Sequence, residues 1–347
     1  MKIPKRIAQT LMNSLKGGVV PRVGLSYITV GRKAEIDALL HDVDIIADGG
    51  ASFRFIVGKY GSGKSFLLQT IRNYVMAKNF VVVDADLSPE RRLQGTRGQG
   101  LATYKELIRN MSTKTKPEGG ALSLILDRWI SNVQQQVMEQ EGISPTDPSL
   151  QPRVEKKIAA TIYSLNEMVH GFDFARLLTL YYQAYRNGDD ETKAKVLKWF
   201  RGEYPTKTEA RGELGVNIVI TDDDWYEYLK LFAAFLKQAG YAGMLVLIDE
   251  LVNIYKIPNA ITRQYNYEKI LTMYNDAMQG KAQHIGFLLG GTPQCMEDPR
   301  RGVYSYEALR SRLADGHFSG EHKDLLSPVI RLLPLTNEEM LILIEKL

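Results

Sequence analysis

Eight consecutive residues, Gly58-Lys59-Tyr60-Gly61-Ser62-Gly63-Lys64-Ser65, match the pattern G-x-x-x-x-G-K-[S/T]. They stand between an apolar run, Phe53 to Val57, and a stretch in which Leu67, Leu68, Ile71 and Val75 share one helical face. Strand, glycine-rich turn and helix in that order are the context a phosphate-binding loop requires. Glycines let the backbone curl until several N–H groups converge on one phosphate, and the helix N-terminus adds favourable partial charge. Gly58, Tyr60, Gly61, Ser62, Gly63, Lys64, Ser65 and Phe66 are then the residues of the cradle. Lys64 would reach the β- and γ-phosphates of ATP, and Ser65 would bind the Mg²⁺ that bridges them.

Hydrolysis needs a group that activates water. Gly243 to Ile248 is a buried-strand run that ends in two adjacent carboxylates, Asp249 and Glu250. Asp249 would hold Mg²⁺ through its water shell, and Glu250 would polarise the attacking water as general base. This adjacent pair sets hydrolytic ATPases apart from small kinases and disfavours a phosphotransferase. A third run, His284 to Gly291, ends at Thr292. A polar residue there can contact the γ-phosphate or the water, with Gln294 as a second choice. Thr292 reads equally well as the cap of the turn before Pro293.

The rest of the chain must position these groups. Its 347 residues are 44% hydrophobic and 24% charged, which excludes a disordered tail or a small disulfide scaffold. A net charge of +4 is too small to demand a nucleic-acid partner. One cysteine, Cys295, excludes intramolecular disulfides and fits a reducing compartment. No apolar run approaches the roughly 20 residues of a membrane helix, and no signal core follows the basic start Met1 to Arg6. A soluble, cytoplasmic protein without a membrane partner is expected. The histidines never fall at ligand spacing with cysteine, His317 and His322 coming nearest to a pair.

Strands at 53–57, 80–87, 243–250, 284–291 and 329–335 alternate with helices at 63–78, 101–112, 222–240, 265–280 and near 304–314. That alternation predicts an α/β fold with a parallel sheet and right-handed crossovers. Between the two carboxylate and phosphate motifs lies an excess at 114–221. Breaks at 113–120 and 142–149 separate helical segments at 121–139, 151–170, 172–187 and 190–200, so the excess reads as an all-helical insertion. Its use is contact with a partner or nucleic acid, or support of a large core. The expected division is 1–113 for the first half of the core, 114–221 for the insertion, 222–335 for the second half and 336–347 for an amphipathic helix. Thr336 or Asn337 caps that last helix. The segment 88–100 leaves the second strand carrying Arg91, Arg92 and Arg97 among glycines and glutamines. It reads as a flexible basic loop with no apolar face to bury, able to follow the phosphate backbone of DNA. A plain connector or a contact with a neighbouring subunit is the alternative.

Leu247-Ile248-Asp249-Glu250, followed on the next strand by Gly290-Gly291-Thr292, resembles the AAA+ branch of P-loop ATPases. The resemblance implies a five-stranded sheet in the order 5-1-4-3-2. Tyr27 to Ile36 looks like the V-G-R-x-x-E-[I/L] signature of that branch, which places Ile28, Val30 and Gly31 beside the adenine and ribose. As a bare pattern it is also a helix start with Glu35 in the first turns. Ala308 to Leu313 resembles the helix that presents an arginine finger to a neighbouring subunit, which implies a homo-oligomer. Arg312 is the first choice for the finger and Arg310 the second, with Leu309 and Leu313 facing the core. Residues 336–347 correspond to the first helix of a helical lid that is otherwise largely missing, and a lidless core is expected to bind ATP less tightly and hydrolyse it weakly.

Over most of the chain the match is narrower. Gly17 to Leu25, Val30-Gly31-Arg32, Gly58 to Phe66 and Asp84 to Leu93 look like the ATP-binding proteins of BREX-type bacterial anti-phage systems, and like relatives encoded beside TerB-domain and helicase genes. That resemblance implies an ATP- and Mg²⁺-dependent ATPase acting as motor, loader or switch in a defence complex, on DNA. Its partners would be a helicase, a nuclease or a TerB-type protein. The alternative is a signalling or scaffold NTPase whose assembly ATP controls without nucleic-acid contact.

Overall fold

The computed structural model describes residues 3–314 and 325–346. Five strands form one sheet: β1 (Ala51–Gly58), β2 (Val81–Asp86), β3 (Met244–Asp249), β4 (Ile285–Gly291) and β5 (Val329–Leu332). All pairings are parallel and the order is β2-β3-β4-β1-β5, the expected 5-1-4-3-2 read from the opposite edge. Register places Val57 opposite Gly291 and Asp86 opposite Asp249. The loops leaving β1, β2, β3 and β4 therefore open side by side at the C-terminal edge, where open α/β sheets keep their sites.

Both faces of the sheet are covered, which is why the strands are apolar almost without interruption. On one face, Leu39, Val43 and Ile46 of the Lys33–Ala47 helix join Leu67, Ile71 and Val75 of the Lys64–Ala77 helix over Ile56, Val82, Leu245 and Leu288. On the other, Phe53, Phe55, Val83 and Phe287 begin a core that runs without a break into the insertion. The insertion helices are Leu122–Glu141, Leu150–Tyr163, Gly171–Asn187, Asp190–Phe200 and Lys207–Leu214. Phe174 packs its ring 5.0 Å from Phe200 and 5.1 Å from Phe232, while Trp129 meets Phe235 edge-on at 5.1 Å. Phe232 and Phe235 belong to the Trp225–Gln238 helix. Buried aromatics of this size dominate core energetics. The insertion is thus part of the main core and not an appendage on a hinge.

Three local expectations change. The helix expected over 151–170 ends at Tyr163, after which turn bonds such as Asn166 N to Tyr163 O replace the helical ones, and His170, with a left-handed φ of 59°, starts the next helix. A further helix, Lys207–Leu214, stands beyond the expected ones; Thr206 caps it, accepting from Glu209 N at 3.2 Å. The T-x-x-E spacing is its signal. The third change concerns the loop 88–100. Leu93 is wholly buried, and the N–H groups of Leu93 and Gln94 both donate to Asn266 Oδ1, at 2.9 and 3.0 Å. Trp225 Nε1 donates to Leu93 O at 3.0 Å, and Asp222 accepts from Gly98 N and Leu101 N at 2.7 and 2.8 Å. The loop has an apolar anchor after all, and it is pinned. Among the described residues no helix is long and apolar enough to cross a membrane.

Candidate functional site

β1 runs out at Gly58, and the chain turns through Gly61 and Gly63, whose φ values of 78° and 87° are left-handed. Residues with a Cβ rarely adopt that region. A Cβ on Gly58 would also come 2.3 Å from Ser62 Oγ. No side chain caps the Lys64–Ala77 helix, so the N–H groups of its first turn stay available to an anion. Lys64 Nζ lies across its own loop, donating to Gly58 O at 3.0 Å and Lys59 O at 3.1 Å. The exposed ring of Tyr60 is 5.5 Å from the same ammonium.

Two strands away, Asp249 closes the site. Its Oδ2 accepts from Ser65 Oγ at 2.8 Å, and its Oδ1 accepts from Glu250 N at 2.8 Å. Gly290 of β4 makes room, since a Cβ there would lie 2.1 Å from Asp249 Oδ1. Glu250 leaves the strand with a left-handed φ of 62°, an uncommon conformation for a residue with a side chain. Tyr60, Gly61, Gly63, Lys64, Ser65, Phe66, Asp249, Glu250 and Thr292 all border one cavity of about 230 Å³. Gly58 and Ser62 shape the loop from beneath, with Ser62 buried.

Negative charge accumulates at this edge. Desolvation, then the carboxylates of Asp249, Asp84 and Glu250, hold the Asp86 carboxyl above its ordinary value. A cation relieves such repulsion. The donor set of hydroxyl and carboxylate oxygens suits Mg²⁺, and Ser65 and Asp249 are the residues that would hold it.

Thr292 stands at the end of β4. It borders the cavity, and its hydroxyl caps the Pro293–Glu297 helix by accepting from Cys295 N at 3.3 Å. Gln294 is exposed and donates to Tyr255 OH at 3.1 Å.

A second, more apolar cavity of about 250 Å³ adjoins the loop, bordered by Ile28, Val30, Gly61, Gly63, Phe66, Leu335 and Leu343. A flat purine fits such walls. Gly31 does not border it. Its φ is 66°, and a Cβ on it would come 2.3 Å from Glu339 of the Asn337–Lys346 helix, so Gly31 lets that helix approach. Lys346 Nζ completes the contact by donating to Thr29 O at 3.1 Å.

Arg32 stands in the Val30-Gly31-Arg32 signature, where its residue type alone carries no role. It is buried, donating to Ser62 O at 2.9 Å and Leu333 O at 2.6 Å, with Glu35 3.7 Å away. It ties the phosphate loop to the end of β5. Val20 borders the phosphate cavity and Arg22 borders an adjacent one of about 440 Å³ beside Asp84 and Asp86. Their only sequence signal was the Gly17 to Leu25 segment.

The remaining candidates stand outside the two cavities. Arg312 is exposed, with Nε on Asn275 Oδ1 at 3.1 Å and a terminal nitrogen on Ala308 O at 2.7 Å. Arg310 is exposed 3.8 Å from Glu307, while Leu309 and Leu313 are buried. Arg91 donates through Nε to Asp86 O at 2.9 Å. Arg92 and Arg97 border a separate cleft. His317 and His322 lie outside the described residues.

The profile of one protein family, described as "BREX system ATP-binding protein BrxC/D", matches residues 3–347. No curated protein matches the chain. A match over nearly the whole length, on a P-loop sheet that bears a phosphate-loop motif beside a carboxylate pair, places this chain in the BrxC/D family of BREX system ATP-binding proteins, nucleotide-binding components of anti-phage defence.

Proposed function

We propose that the protein hydrolyses ATP at the site between Lys64 and Asp249 and acts as a motor, loader or switch in its defence complex, on DNA. One observation supports this above the rest: Ser65 Oγ meets Asp249 Oδ2 at 2.8 Å, with Glu250 bordering the same cavity. Lys64, the loop amides and Ser65 hold the phosphates, while Ile28 and Val30 face the base. Ser65 and Asp249 are the residues that would hold Mg²⁺, which would supply charge neutralisation at the phosphates. Glu250 takes the proton of the attacking water. Thr292 keeps its O–H donor while its oxygen accepts from Cys295 N, and that donor is what would contact the water or the γ-phosphate. Arg312, or Arg310 in its place, acts on the nucleotide of a neighbour in a homo-oligomer.

Membership of a multiprotein system supports contact with other defence proteins. A helicase, nuclease or TerB-type protein is the proposed partner, and Arg91, Arg92 and Arg97 the proposed DNA contact. The test is phosphate release by the parent and by Glu250→Gln, with and without single- and double-stranded DNA. Release by the parent alone, stimulated by DNA, is expected. No release under any condition removes hydrolysis. Release that DNA leaves unchanged favours a switch that controls assembly without nucleic acid.

A further inference from the structure

The segment Gly17 to Gly24 joins the Lys5–Lys16 helix to the short Leu25–Ile28 helix and passes beside the phosphate site. Val20 borders both the phosphate cavity and the adjoining chamber of about 440 Å³, and Arg22 borders the chamber. The passage is anchored at this point. Pro21 is buried, and Arg22 O accepts from Asn73 Nδ2 at 3.2 Å. Asn73 belongs to the Lys64–Ala77 helix, so the Arg22 backbone is tied to the element that carries Lys64 and Ser65.

The chamber shares Ser65, Asp249 and Glu250 with the phosphate cavity, the residues assigned to the cation and the attacking water. It does not share Gly61 or Gly63, whose turn cradles the inner phosphates. It therefore opens on the γ-phosphate end of the site. Arg22 is the one cation among its described bordering residues. Asp84 on its wall already has partners, Arg72 Nε at 3.5 Å and Asn110 Nδ2 at 3.3 Å. Desolvation holds the Asp84 carboxyl above its ordinary value, with Arg72 the larger opposing charge and Arg22 the smaller. The Arg22 side chain is exposed, and among the described residues its guanidinium donates to no acceptor. Its planar fork of five N–H donors is uncommitted. A γ-phosphate brings oxygens suited to that fork to an end of the site where Lys64 is the only other cation.

We propose that Arg22 acts in cis on the γ-phosphate: its guanidinium turns from the chamber onto the γ-oxygens, distinguishes ATP from ADP, and stabilises the charge of the transferring phosphoryl group. Arg312 would come from a neighbour, whereas Arg22 borders the chamber of its own chain. The proposal rests on the assignment of ATP to this site and is independent of DNA.

The test is calorimetric titration of the full chain with ADP and with a non-hydrolysable ATP analogue bridged by a β,γ-imide, both with Mg²⁺, beside steady-state phosphate release. The Arg22 side chain is exposed and holds nothing in place, so Arg22→Ala should melt at the parent temperature without nucleotide. That variant should bind the analogue about tenfold more weakly and ADP as the parent does. Its turnover should fall about 10³-fold while KM rises no more than about tenfold. Arg22→Lys should recover part of the analogue affinity and little of the turnover, because an ammonium cannot span two γ-oxygens. The ratio of analogue to ADP affinity should not depend on protein concentration, since residue and phosphate share one chain. Equal weakening of both nucleotides, parent affinity for the analogue in Arg22→Ala, or a ratio that grows with protein concentration would each overturn the proposal. A parent that binds neither nucleotide defeats the site assignment, and this proposal with it. A parent that binds both and releases no phosphate defeats hydrolysis alone, and the affinity ratio then decides on Arg22.

Discussion

Ser65 Oγ donates to Asp249 Oδ2 at 2.8 Å across 184 residues of sequence. The hydroxyl belongs to the first turn of a helix after β1 and the carboxylate to the end of β3, two strands away. β4 lies between them, and its Gly290 leaves the space the carboxylate fills. The bond holds both oxygens at one point, ready to exchange their mutual contact for a shared cation. Its donor and acceptor are each satisfied meanwhile, so the site costs little to maintain when empty of ligand.

Lys64→Ala should abolish nucleotide binding. The ammonium rests on Gly58 O and Lys59 O, and among the described residues no other cation borders the phosphate cavity. ATP at about 100 times its Kd should stabilise the parent by about 2.7 kcal/mol. The variant should melt at the same temperature with and without ATP; an equal shift in both would remove Lys64 from the site.

Glu250→Gln should keep ATP and lose turnover by about 10²- to 10⁴-fold. The amide retains the shape of the side chain but cannot accept the proton, and Asp249 and Ser65 remain in place. Binding by calorimetry and phosphate release together check this. Turnover at the parent rate would assign the base elsewhere.

Gly290→Ala should disturb the Asp249 carboxylate although it changes no chemical group. The added Cβ would lie 2.1 Å from Oδ1, so one of them must move. Overpacking of this kind costs about 1–3 kcal/mol. Loss of the Mg²⁺ dependence of ATP affinity is the specific readout. Gly212→Ala, where a Cβ within the Lys207–Leu214 helix meets open space, is the control; it should leave the Mg²⁺ dependence unchanged and raise stability by about 0.4–1 kcal/mol.

Arg32→Ala should destabilise the fold by about 3 kcal/mol, as removal of one member of a buried charged network does. Ser62 O and Leu333 O lose their donor together, releasing the phosphate loop from the end of β5. Denaturant midpoints measure the loss. Arg32→Lys should recover little of it, because one ammonium cannot copy the planar fork.

Acid should weaken the fold through His284. Burial, then Lys237, pushes its imidazole below the ordinary value, with a contact to Ile46 O at 3.2 Å opposing. The unfolded chain therefore binds the proton more readily. The stability involved is full above about pH 6.5 and is lost as pH falls from there towards the lowered folded value. His284→Gln should show a smaller loss between about pH 7.5 and about pH 5. Equal losses in parent and variant would assign the acid sensitivity to other groups.

The phosphate loop was legible because its chemistry is local: consecutive glycines, a lysine and a serine need only the strand before them and the helix after. The carboxylate pair was legible for the same reason, as the end of an apolar run. Sheet order came from resemblance, since periodicity marks strands but not their neighbours. What tertiary structure alone decided is everything that depends on a partner distant in the chain. Leu93 looked like part of a polar loop, and its burial comes from Asn266 and Trp225, 173 and 132 residues away. Arg32 looked like part of a signature, and its role comes from carbonyls at Ser62 and Leu333. A side chain's type sets which bonds it can make, while the bond it does make depends on which backbone groups the fold leaves unpaired beside it.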